Sequence, residues 1–249
     1  MRRLLHCVRD GHVRVAFDAS DLATRLAYHR WLGLSTAWWD DGFVPTIEPA
    51  PETVPAVFCD DEAIKRYVDI LTDRGVEWGL LGPREPERIW ERHIFNCAAL
   101  SQVVPEGVTV RDIGSGAGLP GLVLAIQRPD LQVELVESLL RRSEFLQLAV
   151  DELALGDRVS VVRARAEELS TVPDVITCRA VAPLDKLVAW CDPALRGGAQ
   201  LMALKGERAQ SELEATRGLL GRRGLIGEVR SVRAHQLSEP TQVVIVERG

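Results

Sequence analysis

Ten residues, Asp112-Ile113-Gly114-Ser115-Gly116-Ala117-Gly118-Leu119-Pro120-Gly121, restrict this chain more than any other stretch. They begin within a short run, Thr109–Ile113, that reads as a strand. They lead into Leu122–Ile126, which reads as a helix with Pro120 near its first turn, where proline is tolerated. A strand that turns through glycines into a helix is the loop with which an α/β fold brings bare backbone against a ligand.

The downstream sequence repeats the alternation. Gln132–Val136, Val159–Val162, Val175–Thr177 and Gln200–Leu204 read as strands; Arg141–Leu153, Leu184–Cys191 and Glu212–Leu220 read as helices. Glu228–Val232 and Gln242–Glu247 follow with no helical crossover between them, so they should pair antiparallel. Five βα units and a closing antiparallel pair predict an α/β, doubly wound sheet with helices on both faces. Upstream, Asp60 or Asp61 caps a helix with an Ile64, Tyr67, Val68, Leu71 face that ends near Gly75. A second helix begins after Pro83 or Pro86 and reaches Leu100. Trp90, Ile94 and Cys97 form its apolar stripe, Arg88, Arg92 and Asn96 face away, and His93 lies at the edge. Residues 1–50 are atypical. They lack clean periodicity and run into Pro45, Pro49, Pro51 and Pro55, which suggests an extended linker. The expected organisation is therefore an atypical extension over 1–50, read as disordered or as upstream sequence translated from a misassigned start, a helical cap over 51–104, and the sheet domain over 105–249.

Composition narrows the classes. With 249 residues, 46% hydrophobic and 27% charged, the chain can bury a core without disulfides. It has no apolar run long enough to span a membrane. The opening Met1-Arg2-Arg3-Leu4-Leu5 runs into Arg9 and Asp10 and lacks the apolar core of a signal peptide, so a cytoplasmic protein is expected. Five cysteines make no C-x-x-C pair and no zinc spacing; buried thiols and no metal are expected. A net charge of −6 argues against nonspecific coating of nucleic acid but leaves room for a locally basic site.

Ligands of such sheets bind at the carboxyl ends of the strands. There the sequence delivers Asp112 and Gly114, then Glu137, then Arg165, Ala166 and Glu167, then Arg179, then Lys205. Glu137 is placed to accept hydrogen bonds from ribose hydroxyls. Gly116 to Gly121 matches G-x-G-x-x-G, so an NAD(P)-dependent oxidoreductase stays open, as does a binding module without catalysis. S-adenosylmethionine fits better. Asp112 at the strand end would face an ammonium or a water more readily than a pyrophosphate, and no hydride-acceptor site follows. Cations on the later strands suit an anionic second substrate such as RNA.

The glycine loop, with Arg92-His93 before it and Arg165-Ala166-Glu167-Glu168, Cys178-Arg179-Ala180-Val181-Ala182-Pro183 and Ala203-Leu204-Lys205-Gly206 after it, resembles the bacterial 16S rRNA guanine-N7 methyltransferases, also called glucose-inhibited division protein B. The likeness runs from about Glu62 to the C-terminus and is strongest toward actinobacterial members; nothing is carried over to residues 1–50. It implies a class I S-adenosylmethionine-dependent methyltransferase domain over 105–249 behind a small helical cap, acting as a monomer on 16S rRNA or the small ribosomal subunit. It further implies cofactor contacts at Asp112, Gly114, Gly116, Gly118, Leu119, Glu137, Ala166, Glu167 and Arg179. Arg92, Arg141, Arg142 and Arg165 would face RNA, and Arg179, Lys205 and His93 would meet the target base. Arg141 and Arg142 open a helix, against its dipole, which an RNA phosphate or plain solvent exposure would explain equally.

The implied chemistry needs no general base, because guanine N7 is an in-plane lone pair that loses no proton. The chain accordingly lacks the Asn-Pro-Pro-Tyr and Pro-Cys motifs of amine and pyrimidine-carbon methylation. Proximity and in-line alignment should supply catalysis, with Arg179 and Lys205 orienting the base.

Overall fold

The computed structural model describes residues 46–249 and, ahead of them, the backbone of two strands. The predicted extension over 1–50 falls largely outside the described residues. Residues 1–46 and 47–249 form two separate units. In the first, β1 (Leu4–Cys7) and β2 (Val15–Asp18) pair antiparallel, with Leu4 opposite Asp18 and Cys7 opposite Val15.

The second unit opens with a segment that is tied down rather than a free linker. Glu48 N–H donates to Pro86 O at 2.9 Å, and the Glu48 carboxylate accepts from Trp90 N–H at 2.9 Å. A short helix α1 (Val54–Val57) leads to α2 (Asp61–Ile70). Asp60 caps α2 through its carboxylate, accepting from Ala63 N–H at 2.9 Å, while Asp61 and Glu62 favour its positive end. Ile64, Tyr67, Val68 and Leu71 are buried along one face, as their spacing predicts. The next helical stretch is continuous but of mixed pitch: a tight turn over Glu85–Arg88, a wide one over Trp90–Phe95, α3 (Asn96–Ala98), and a tight turn over Ala99–Gln102.

Seven strands follow: β3 (Thr109–Ile113), β4 (Gln132–Val136), β5 (Val159–Val162), β6 (Val175–Arg179), β7 (Gln200–Lys205), β8 (Leu225–Val232) and β9 (Thr241–Arg248). Their spatial order is β5-β4-β3-β6-β7-β9-β8, with the first five parallel and β9 antiparallel to both β7 and β8. This is the doubly wound sheet of the class I S-adenosylmethionine-dependent methyltransferase fold. The helices are α4 (Gly121–Gln127), α5 (Leu140–Glu152), α6 (Leu184–Trp190), α7 (Asp192–Arg196) and α8 (Ala209–Arg222). One of the five predicted βα units has no helix. Between β5 and β6 the chain makes only a short turn at Ala166–Glu168, because Thr171, Val172 and Pro173 follow and resist helix.

The side-chain alternation of each strand sorts the core onto two faces. Val243 and Ile245 join one layer, with Tyr67, Trp90, Leu122 and Phe145; Val244 and Val246 join the other, with Leu187, Leu195 and Leu213. The upstream helices thus share a core with α4 and α5. Each fully buried aliphatic side chain there stabilises by roughly 1.5–3 kcal/mol. Of the described cysteines, Cys97, Cys178 and Cys191 are buried as expected, but Cys59 is exposed, since it falls in the turn between α1 and α2.

Candidate functional site

The strand order reverses between β3 and β6, and the loops leaving these two strands meet at that point. Gly114, at the end of β3, has φ +67°, and a Cβ there would lie 2.9 Å from Val181 Cγ2 in the loop after β6. Only glycine accepts both the dihedral and the contact. The loop after β6 carries its own strain, with Ala180 at φ +54°. Val181 lines two cavities.

The smaller cavity, about 270 Å³, is lined by Gly114, Glu137, Ser138, Arg165, Ala166 and Glu167, among others. Glu137 directly follows β4 and is only 4% exposed. Its carboxylate accepts from Gly116 N–H at 3.2 Å and from Leu139 N–H at 3.0 Å, so it fixes the glycine loop while keeping lone pairs for a ligand. Four residues assigned to cofactor by resemblance, Gly114, Glu137, Ala166 and Glu167, therefore converge here. Gly116, Gly118 and Leu119 form the inner turn of the loop, where Gly118 N–H donates to Ser115 O at 2.7 Å and Leu119 N–H to the same oxygen at 3.2 Å. Tyr67 reaches this loop from α2 and donates its hydroxyl to Ala117 O at 2.7 Å.

Asp112 does not face open space. It is fully buried, and its Oδ2 accepts from Gly121 N–H at 3.0 Å, which ties the end of β3 to the start of α4. Its Oδ1 has no hydrogen-bond partner among the described residues. Burial pushes the carboxyl up to about 7, and the Gly121 N–H relieves this only in part.

The larger cavity, about 1510 Å³, lies beyond β6 and β7 and holds Arg88, Arg92, His93, Arg179, Lys205 and Arg208. Arg179 donates from Nη2 to His93 Nδ1 at 2.8 Å and from Nη1 to Arg92 O at 3.3 Å. Lys205 donates to Ala182 O at 2.7 Å and to Glu212 Oε2 at 2.8 Å, and Glu212 also accepts from Leu184 N–H. Lys205 thus holds the loop after β6 and keeps one N–H of its three in reserve. His93 is 8% exposed with both ring nitrogens engaged, the second on Glu85 Oε2 at 2.6 Å. Burial, then the charge of Arg179, pushes its imidazole down to about 4.

Arg92 reaches the larger cavity but also pairs with Glu85 at 3.1 Å. Arg165 is exposed at the mouth of the smaller one. Arg141 and Arg142 line neither cavity, although Arg142 borders the smaller one through Glu137. Arg141 sits 5.9 Å over the Trp78 ring, and Arg142 lies 3.8 Å from Glu137 Oε2, so each has a protein partner in its unfavourable place on α5. Motif reading missed Glu85, Glu212 and Arg208, and it quoted Val181 without giving it a role. Glu85 left a signal: with Arg88 and Arg92 it makes an i, i+3, i+7 set on one helical face. Among the described residues no group of His, Cys, Asp and Glu side chains is arranged to hold a metal ion, and no helix is long and apolar enough to cross a membrane.

Comparison with known proteins shows the family of this chain. Residues 60–232 match the family model for rRNA small subunit methyltransferase G. A Mycolicibacterium smegmatis protein named ribosomal RNA small subunit methyltransferase G is 50% identical over 211 residues, covering 82% of this chain and 88% of its own. A Thermobifida fusca protein of the same name is 52% identical over 185 residues, covering 73% and 78%. A solved structure from Pyrococcus horikoshii superposes with a TM-score of 0.50 at 15% identity, covering 62% of this chain and 63% of its own, a likeness of fold alone. Nothing in these matches supports the hydride-transfer alternative.

Proposed function

We propose that this chain, which belongs to the rRNA small subunit methyltransferase G family, transfers a methyl group from S-adenosylmethionine to N7 of a guanine in 16S rRNA. The observation that carries the reading is the meeting of two unlike cavities at Val181. One is small, glycine-rimmed and carboxylate-lined, and the other is wide and edged by arginines. A donor group in one and an anionic substrate in the other would share Val181 as a common wall.

The residues of the smaller cavity fit an adenosyl group. Glu137 offers carboxylate lone pairs to vicinal hydroxyls, and its volume is near the low end of small-molecule sites, about 300 Å³ and upward. That is room for a nucleoside rather than a dinucleotide. When bound, S-adenosylmethionine supplies a methyl group on a cationic sulfur. Everything else falls to the chain. Gly114 and Val181 set the floor between the cavities. Arg179, with two of its five N–H groups engaged, keeps the others for the target purine. A guanidinium suits the O6 edge of guanine, as in major-groove readout, but would oppose product charge if it touched N7. No residue needs to take a proton, which agrees with a His93 that is neutral and fully engaged. Exposed Arg88, Arg92 and Arg208 are placed to meet phosphates. A substrate of this kind places the chain in the cytoplasm.

The test is direct. The purified chain, labelled S-adenosylmethionine and small ribosomal subunits lacking the modification should yield one labelled guanine, methylated at N7. Tight NAD binding without S-adenosylmethionine binding, or no N7 product in naked rRNA or subunits, overturns the reading.

A further inference from the structure

We propose that Glu85 is a positioning residue that acts through His93 to aim Arg179 into the larger cavity. The inference deepens the methyltransferase reading and rests on it for the meaning of Arg179. Its premise is a proton count. A guanidinium only donates, so His93 Nδ1, 2.8 Å from Arg179 Nη2, must accept. A ring nitrogen that accepts is bare, so in the neutral ring the proton is on Nε2. That N–H points at Glu85 Oε2, 2.6 Å away. The carboxylate therefore selects one tautomer of His93, and that tautomer alone gives Arg179 Nη2 its acceptor.

The surroundings favour the arrangement. His93 is buried, and its imidazole is held neutral at physiological pH. Burial works against the Glu85 charge, but hydrogen bonds from Arg88 and His93 outweigh it and hold the carboxyl below its ordinary range. Glu85 Oε1 receives Arg88 at 2.5 Å, and Arg92 stands 3.1 Å from Oε2. Glu85 is thus a common anchor for a histidine that reaches β6 and for two arginines on the cavity wall. Arg179 comes from a strand 86 residues away from His93 in sequence, so this contact sets how the upstream helix and β6 face one another at the site.

Leucine at 85 removes the acceptor, whereas glutamine keeps a carbonyl oxygen for Nε2–H. With E85L, kcat for N7 methylation should fall about 10- to 100-fold, the range for partners one layer behind a functional group. KM for S-adenosylmethionine should stay within about threefold, because Glu137 and the glycine loop are untouched. E85Q should retain most of the activity. A merely structural role would not produce the spectroscopic signature. In chain labelled with 15N-histidine, with the His93 signals assigned by H93Q, the wild type should show protonated Nε2 and bare Nδ1 at pH 7. E85Q should keep that pattern, and E85L should show a mixture. An Nδ1–H tautomer or an imidazolium in the wild type overturns the proposal without any variant. So does a folded E85L with unchanged kcat. If the wild type shows the expected tautomer but methylates no rRNA, the proposed function fails while the Glu85–His93–Arg179 relay stands.

Discussion

Asp112 keeps a carboxylate where water does not reach it, and this makes stability depend on pH in an unusual direction. Its ordinary value is 3.8 and burial raises it to about 7. Between those values the folded chain holds a proton that the unfolded chain has released. Stability contributed at this group therefore falls as pH rises from about 4 to 7 and is level above. Asp112→Asn keeps an oxygen for Gly121 N–H and offers an amide where Oδ1 lacks a partner. The advantage of the variant over the wild type should grow across that window, toward an upper limit of roughly 4 kcal/mol. Urea unfolding of the cofactor-free chain at pH 4.5 and pH 8 measures it; an advantage that is constant or shrinks with pH refutes the assignment. Glu137 gives a different outcome. Glu137→Ala strips partners from Gly116 N–H and Leu139 N–H and removes the acceptor in the smaller cavity. Loss of charged hydrogen bonds worth roughly 1.5–3 kcal/mol should weaken S-adenosylmethionine binding about 10- to 100-fold. RNA binding should change by less than about threefold. Calorimetry with each ligand separates the two, and the reverse order would remove Glu137 from the cofactor side.

The loop from β3 to α4 works because its glycines touch other elements. A Cβ at Gly121 would collide with Leu135 Cδ2 and lie 2.8 Å from Asp112 Oδ2, whereas one at Gly116 would meet nothing nearer than Gly114 O at 3.8 Å. Gly116→Ala should cost only the left-handed backbone, about 1–2 kcal/mol. Gly121→Ala should cost more, about 3 kcal/mol, because the buried side chains of Leu135 and Asp112 must both give way. Thermal unfolding ranks them; equal losses would contradict the close packing of α4 on β4. This loop was legible in sequence because its chemistry is local: strand, glycines and helix adjoin. The apolar faces of Tyr67 and Trp90 were legible for the same reason, since burial repeats with the helical turn. What depends on distant partners was not. Nothing near Asp112 indicates that its carboxylate turns inward to Gly121. Lys205 reads as a cation at a strand end, yet its ammonium is joined to Glu212 and Ala182. Arg141 reads as a phosphate contact, yet it lies over Trp78, an aromatic on the far side of the glycine loop in sequence.

Charge across the chain also has to be reconciled with an anionic substrate. The net charge is −6, so long-range attraction to RNA cannot come from the molecule as a sum. It has to come from the larger cavity, where Arg88, Arg92 and Arg208 are exposed. Even there the field is mixed, since Glu91, Glu207 and Glu239 share the wall. Such a surface favours a substrate whose phosphates fall at particular points over a uniform polyanion, which agrees with one modified guanine in a folded rRNA. Each phosphate met on a single strand contributes about 0.7 to the slope of log K against log salt. Replacing Arg88, Arg92 and Arg208 together with alanine should therefore flatten the slope for a 16S fragment by about 2. Cofactor affinity should remain unchanged, because none of the three lines the smaller cavity. The Arg141→Ala, Arg142→Ala pair should flatten it by less than about 1, since neither lines the larger cavity. Filter binding from low to moderate salt reads both. A larger effect from the second pair would move the RNA path from the β6–β7 side of the sheet to the mouth of the smaller cavity.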